Sequence, residues 1–187
     1  MNAKHVLLPV LAAALLVLVG GVVSRLSAAT VRVHKTPTRI LARQRAVVRR
    51  VNPRLTRRLR ATTWRWQLVV GHRRSHSAAP LSSPRALRFW RHHARRMIRV
   101  AGHPPHKSGW LCIHRYEGRW ADSGDPYWGG LQMDRGFMRT YAPRVLLRRG
   151  WANRWTPIEQ MWVAERAHRS GRGFYAWPNT ARYCGLI

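Results

Sequence analysis

The hydrophobic pattern divides the chain into unlike stretches. Val6 to Val23 is an uncharged apolar run. From Thr30 to Ser108 no strand-like alternation of any length occurs, and Pro37, Pro53, Pro80, Pro84 and the Pro104-Pro105 pair interrupt the pattern repeatedly. One helix is expected within it, over 84–101. Ser83 is its N-cap, Pro84 lies in its first turn, Leu87, Trp90, Ala94, Met97 or Ile98 and Ala101 share one face, and Gly102 is the stop. The opposite face carries Arg85, Arg88, Arg91, Arg95 and Arg99. A weaker basic amphipathic pattern runs from Ile40 through Val47, Val48 and Val51 to Leu55 and Leu59, interrupted at Pro53. Apart from such local helices, residues 30–108 are expected to be largely disordered.

The last part of the chain is patterned more tightly. Trp110, Ile113 and Glu117 fall at i, i+3 and i+7, one stripe of a helix, and Gly118 follows where a left-handed stop is expected. A carboxylate that continues an apolar stripe points into the packed interior or a cleft wall; the competing reading is a surface residue at a helix end. Asp134 reads as the N-cap of a helix with Phe137, Met138 and Tyr141 inward. Thr156-Pro157-Ile158-Glu159 reads as a capping box with proline at the first helical position. The helix it starts carries Ile158, Met161, Trp162, Ala164 or Glu165, and Ala167, stops near Gly171, and should pack its apolar side on the Trp110–Tyr116 helix. The fold class expected is α+β and mainly helical, with a very short β element in the glycine-containing stretch ending at Gln132.

Charge changes the picture. Lys and Arg number 35 against 6 Asp and Glu, for a formal net charge of +29, and all six acids lie after Tyr116. The organisation expected is therefore residues 1–29, an Arg-rich linker over 30–108, and a folded domain over 109–187. Lys4 and His5, the apolar run and Ser27-Ala28-Ala29 as a small-residue cleavage site make 1–29 an export signal; an uncleaved membrane anchor over residues 6–23 is the alternative. An exported polycation is expected to contact anionic wall polymers or a membrane surface. Native nucleic-acid binding, which Arg density and Trp64 and Trp66 around Arg65 would otherwise suggest, is not expected of an exported chain.

A domain of this size has a marginal core. Seven tryptophans (Trp110, Trp120, Trp128, Trp151, Trp155, Trp162 and Trp177) supply large buried areas. The only two cysteines, Cys112 and Cys184, bracket the domain, and in an exported protein such a pair reads as a disulfide, with a Cys-His nucleophile as the enzymatic alternative. His92, His93, His103 and His106 have no Cys, Asp or Glu near them in sequence and read as linker histidines. No metal or cofactor is expected.

Tyr116-Glu117-Gly118 with Trp120, then Tyr127-Trp128-Gly129-Gly130-Leu131-Gln132, then the ending from Phe174 to Cys184, occur in that order. Together they resemble the resuscitation-promoting factor and transglycosylase-like proteins of the lysozyme-like superfamily, over roughly residues 109–187. The resemblance implies a small lysozyme-like domain that cleaves the glycan strands of bacterial peptidoglycan, as a lytic transglycosylase or muramidase. It implies Glu117 as the single general acid and base, Gln132 as a substrate contact, and Tyr127, Trp128 and Trp120 along the sugar groove; packing alone is the other reading of Trp128. Asp122, Asp125 and Asp134 are the candidates for a second carboxylate, each with a turn or capping role as well. The chain departs from the family in having only Gly118-Arg119 between the glutamate and the next tryptophan, and in carrying its cysteine further back on the helix. A non-catalytic wall-binding or polyanion-binding protein of the same fold is the alternative.

Overall fold

Pro53 starts a helix rather than breaking one. In the computed structural model, which describes residues 51–187, Asn52 caps helix α1 (Pro53–Val70) by accepting the backbone N–H of Arg54, and Pro53 takes the first position, where its missing N–H costs nothing. Helix α2 (Pro84–Ala101) begins as its sequence predicts, with the Ser83 hydroxyl accepting from Ala86 N. Its inward face is Ala86, Trp90, Ala94, Met97 and Ala101, whereas Ile98 is left 53 % exposed. The helix expected over 84–101 thus forms, and the correction falls on the residues before it: 53–70, expected to be largely disordered, are a second long helix packed against it. Trp64 meets Trp90 edge to face at 5.8 Å between them, and its indole N–H donates to Ser75 O. Basic residues and prolines suggest an unfolded linker, but the two helices pack on each other, and α1 buries Thr56, Thr63 and Gln67 as well as Val69 and Val70. The apolar run of residues 6–23, the export signal expected in 1–29, and residues 30–50 lie outside the described residues. Among the described residues no helix is long and apolar enough to cross a membrane.

The remaining elements are α3 (Lys107–Glu117), β1 (Tyr127–Trp128), β2 (Met133–Asp134), α4 (Arg135–Tyr141), α5 (Arg144–Leu147), a 3-10 turn (Ala152–Arg154), α6 (Pro157–Ala167), a π-type turn (His168–Arg172) and α7 (Pro178–Tyr183). The architecture is mainly helical with a two-stranded antiparallel sheet, in which Tyr127 pairs with Asp134 and Trp128 with Met133. The Asp134 cap forms as expected, accepting Phe137 N at 2.7 Å. So does the capping box, in which Thr156 and Glu159 each satisfy the other's backbone N–H.

Helix α6 departs from the amphipathic reading. All its residues from Glu159 to Glu165, and Ala167, are buried, so it runs through the middle of the molecule instead of along its side. One hydrophobic core surrounds it and does not stop at residue 109: Val69, Val70, Met97 and Ala101 belong to it together with Trp110, Ile113, Trp162 and Trp177. Polar contacts cross the same place. The Trp162 indole donates to Ala101 O at 2.8 Å, and Arg65 pairs with Glu159 at 2.8 Å.

Glu159 has no exposed surface and receives Arg65, Arg149 and the N–H and hydroxyl of Thr156. Burial works to raise its pKa, but the Arg149 hydrogen bond, the Thr156 N–H and the two guanidinium charges outweigh it and hold the carboxyl below its ordinary value. A depressed folded-state value means that ionised Glu159 adds stability above its unfolded value of about 4.3, lost as pH falls through the folded value. The urea midpoint of the unaltered protein should therefore drop as pH falls below about 4. In Glu159→Gln, less stable at neutral pH, that acid limb should be flatter. Parallel midpoint-against-pH curves for the two proteins would refute this role.

Candidate functional site

Glu117 is the last residue of α3. The stripe it shares with Trp110 and Ile113 buries both of those completely, while Glu117 itself is half-buried. Its Oε1 accepts the Thr180 hydroxyl at 2.8 Å. Thr180 was not singled out from the sequence; it lies in α7, inside the Phe174–Cys184 stretch, and only the folded chain brings α7 alongside α3. Two further contacts hold that arrangement. Cys112 and Cys184 are joined, with their Cα atoms 6.0 Å apart and a separation of 72 in sequence, so the bridge expected from the cysteine count ties α3 to the end of α7. A disulfide of this kind belongs to an oxidising environment. The Trp177 indole donates to Leu131 O at 2.6 Å, tying the start of α7 to the glycine turn.

Gly118 does not take the left-handed stop expected of it. Its φ of 157° and ψ of −172° lie in the extended region that essentially only glycine occupies. A Cβ there would stand 3.0 Å from Gln132 Nε2 and 3.3 Å from Asp122 Oδ2. The main chain leaving Glu117 therefore runs directly against a Gln132–Asp122 pair. The Gln132 amide donates to Asp122 Oδ2 at 2.7 Å and to Gly129 O at 2.9 Å. The Gln132 hydrogen bond, then the Gly124 N–H, hold the Asp122 carboxyl below its ordinary value, so it is ionised at neutral pH. Gln132 sits at a positive φ of 45°, closing the turn between β1 and β2.

That turn explains the Gly129-Gly130 pair. A Cβ on Gly129 would collide with Gln160 Oε1 and lie 2.9 Å from Ala152 Cβ; one on Gly130 would lie 2.6 Å from both His114 and Trp120. Trp120 stacks on His114 at 3.9 Å, and the His114 Nδ1 lies 3.1 Å from Gly130 O. Gln160, fully buried, accepts Gly130 N and donates to the carbonyls of Trp120 and Ala152.

The aromatic residues divide. Tyr127 is 49 % exposed, Trp120 is partly buried, and Trp128 is buried against Trp151 with the Arg135 guanidinium over its ring. Two exposed tyrosines within the quoted motifs, to which the sequence assigns no role, Tyr116 and Tyr183, lie with ring centroids 5.7 Å apart, next to Glu117 in sequence and near Thr180 on α7. Asp125 pairs with Arg135 on the surface, and Asp134 caps α4. Clefts elsewhere, such as one of about 380 Å³ lined by His76, Arg85 and Phe89 and one of about 350 Å³ lined by Tyr141, Arg166 and Arg169, do not include Glu117.

The four histidines read as linker residues separate in the fold. His106, the residue before α3, meets a buried glutamate, Glu165, which is 59 residues away in sequence, together with His168. Sequence proximity was the wrong test for acidic neighbours. Compared with protein-family models, with curated proteins and with solved structures, the chain matches none.

Two expectations follow from this geometry. Replacing Cys112 and Cys184 with Ser should lower unfolding stability by about 4 kcal/mol on the chain-entropy model. A loss under 1 kcal/mol in urea titrations would show that the packing of α3 on α7 does not depend on the bridge. Gly130→Ala should destabilise by about 2 kcal/mol through overpacking and alter the near-ultraviolet circular dichroism of Trp120. An unchanged spectrum and midpoint would mean the turn is not held as described.

Proposed function

We propose that this exported chain cleaves the glycan strands of bacterial peptidoglycan in a lysozyme-like domain, with Glu117 as its one general acid and base. The observation that carries the reading is the setting of that carboxyl. It is half-buried at a helix end, steadied on one oxygen by Thr180, and bordered through Gly118 by the Gln132–Asp122 pair. The resemblance of the three motifs to the transglycosylase-like family supports the same residue.

In this reading Oε2, the oxygen not engaged by Thr180, carries the proton to the leaving glycosidic oxygen as the bond to the anomeric carbon breaks. The substrate's own N-acetyl oxygen meets the developing positive charge. The resulting carboxylate, which Thr180 can support as an O–H donor, then takes a proton from the attacking nucleophile. Water as nucleophile gives a reducing end, and the sugar's own C6 hydroxyl gives an anhydro ring. Asp122 is committed to Gln132 and acts by holding that side chain. The Gln132 amide nitrogen is used internally, and among the described residues its Oε1 makes no hydrogen bond, which leaves it to accept from a sugar hydroxyl or acetamido N–H. Tyr127 and Trp120 contribute to the groove, and the exposed Tyr116–Tyr183 pair extends it.

The basic half has a part in the same reading. Arg85, Arg88, Arg91, Arg95 and Arg99 are all exposed on α2, and Arg54, Arg57 and Arg58 on α1. Such a face attracts anionic wall polymers or lipid headgroups by screened electrostatics, and its hold weakens as salt rises.

Glu117→Gln keeps the shape and the Thr180 contact but cannot donate the proton. It should reduce release of glycan fragments from purified peptidoglycan by about a thousandfold, with binding retained. Mass analysis of the fragments separates anhydro from reducing-end products. Near-native cleavage by the variant would remove Glu117 from the mechanism. Binding without cleavage by the unaltered chain would favour the second reading, a non-catalytic wall-binding protein.

A further inference from the structure

At the other end of α3 from Glu117, three potential ligands from distant parts of the chain converge. Glu165 has no exposed surface, and its two oxygens are used unequally. Oε1 accepts the Trp110 indole N–H at 2.8 Å and the His106 backbone N–H at 2.7 Å. These fix the carboxylate's orientation, as hydrogen bonds behind a metal-ligating carboxylate do. Oε2 faces only the His106 ring, whose Nδ1 straddles the group at 3.2 Å from Oε2 and 3.3 Å from Oε1.

That spacing is at the upper limit of an N–H···O hydrogen bond and longer than a charge-assisted one of about 2.7–2.9 Å. It matches the separation of about 3.3 Å between two ligand atoms that each lie about 2.0 Å from a tetrahedral zinc ion. His168 completes the set: its ring lies 4.0 Å from the His106 ring, and one donor atom from each of the three residues falls within 4.8 Å of the others. His168 is the first residue after α6 and opens the turn that ends it. Phe174 and Trp110 wall the cluster, and the His106 side chain, 40 % exposed, leaves an entry from solvent.

We propose that His106, Glu165 and His168 form a binding site for a zinc-class divalent ion. Two imidazoles and one carboxylate are a borderline donor set that suits zinc and excludes magnesium and calcium, which take oxygen cages. Three protein ligands leave a fourth position to water. The ion ties the first turn of α3 to the end of α6. Along α3 the site lies about 15 Å from Glu117, at about 1.5 Å per residue, so the role is a clamp on the fold and does not depend on Glu117 chemistry.

The test uses the untagged full chain with its disulfide intact, stripped with chelator and titrated by calorimetry with zinc, magnesium and calcium. One zinc per chain should bind, magnesium and calcium should not, and zinc at about a hundredfold excess over its Kd should raise the Tm by about 5–10 °C. His106→Ala and His168→Ala should each weaken binding by about a hundredfold or more. His103→Ala, an exposed imidazole whose Nδ1 faces only Arg99 O, should not. Cobalt in the unaltered chain should give the visible absorption of a four-coordinate site, displaced by zinc and not by magnesium, a readout that survives any variant failing to fold. Absence of saturable zinc uptake would overturn the assignment. So would retention of the zinc in His168→Ala, which would place it on histidines elsewhere, or a cobalt spectrum typical of six-coordinate aquo ions.

Discussion

Three polar side chains without exposed surface, Glu159, Gln160 and Glu165, sit on the central helix α6, and the rest of the molecule is arranged to satisfy them. A buried carboxylate or amide left without partners costs several kcal/mol, so each of these must be met from outside the helix. Glu159 draws in Arg65 of α1 and Arg149 after α5. Gln160 draws in the Gly130 turn and the Trp120 and Ala152 carbonyls. Glu165 draws in the start of α3 through Trp110 and His106. An apolar α6 would bury as much surface but would not dictate which segment lies against which turn. The polar residues provide that register, because their partners are few and directional.

The candidate site is a consequence at one remove. Gln160 sets the height of the Gly130 turn, and Trp177 holds the Leu131 carbonyl of the same turn. Gln132 closes that turn, and through Asp122 and the bare Gly118 backbone it comes against the end of α3. The disulfide then presses α7 onto α3, which places the Thr180 hydroxyl on Glu117. None of these contacts is long, but they come from four separate stretches of chain. The carboxyl is positioned by the packing of helices, not by a local loop motif.

This accounts for what the sequence could and could not convey. Capping residues and helix stripes act within a few residues, so Ser83, Asp134 and the Thr156–Glu159 box were legible, as was the cysteine pair in a chain with only two. Pro53 is ambiguous in sequence because a proline that stops one pattern can equally begin the next; Asn52 before it, as the N-cap, is the signal that decides. Thr180, and the meeting of His106 with Glu165 and His168, depend on contacts between segments far apart in sequence, which no local period encodes. The burial of α6 on all sides was hidden for a different reason. Its glutamates and glutamine look like a solvent face until their partners are known.

The distribution of charge follows from the same constraint. Of the six acidic residues, two are consumed inside the fold, one caps α4, and Asp122 is tied to Gln132. Almost nothing acidic remains to neutralise the arginines, and among the described residues only Arg65, Arg135 and Arg149 form ion pairs with carboxylates. Because α1 and α2 are docked on the core instead of trailing from it, their unmatched guanidinium groups are displayed at fixed helical spacing. A fixed array loses less entropy on binding a polyanion than a flexible tail of equal charge. In the function proposed above, it would also set the distance and direction of a bound polyanion from Glu117. The Arg65–Glu159 contact is thus more than a fastening of α1: by joining a basic helix to the buried end of α6, it couples the position of the cationic surface to that of the candidate catalytic carboxyl.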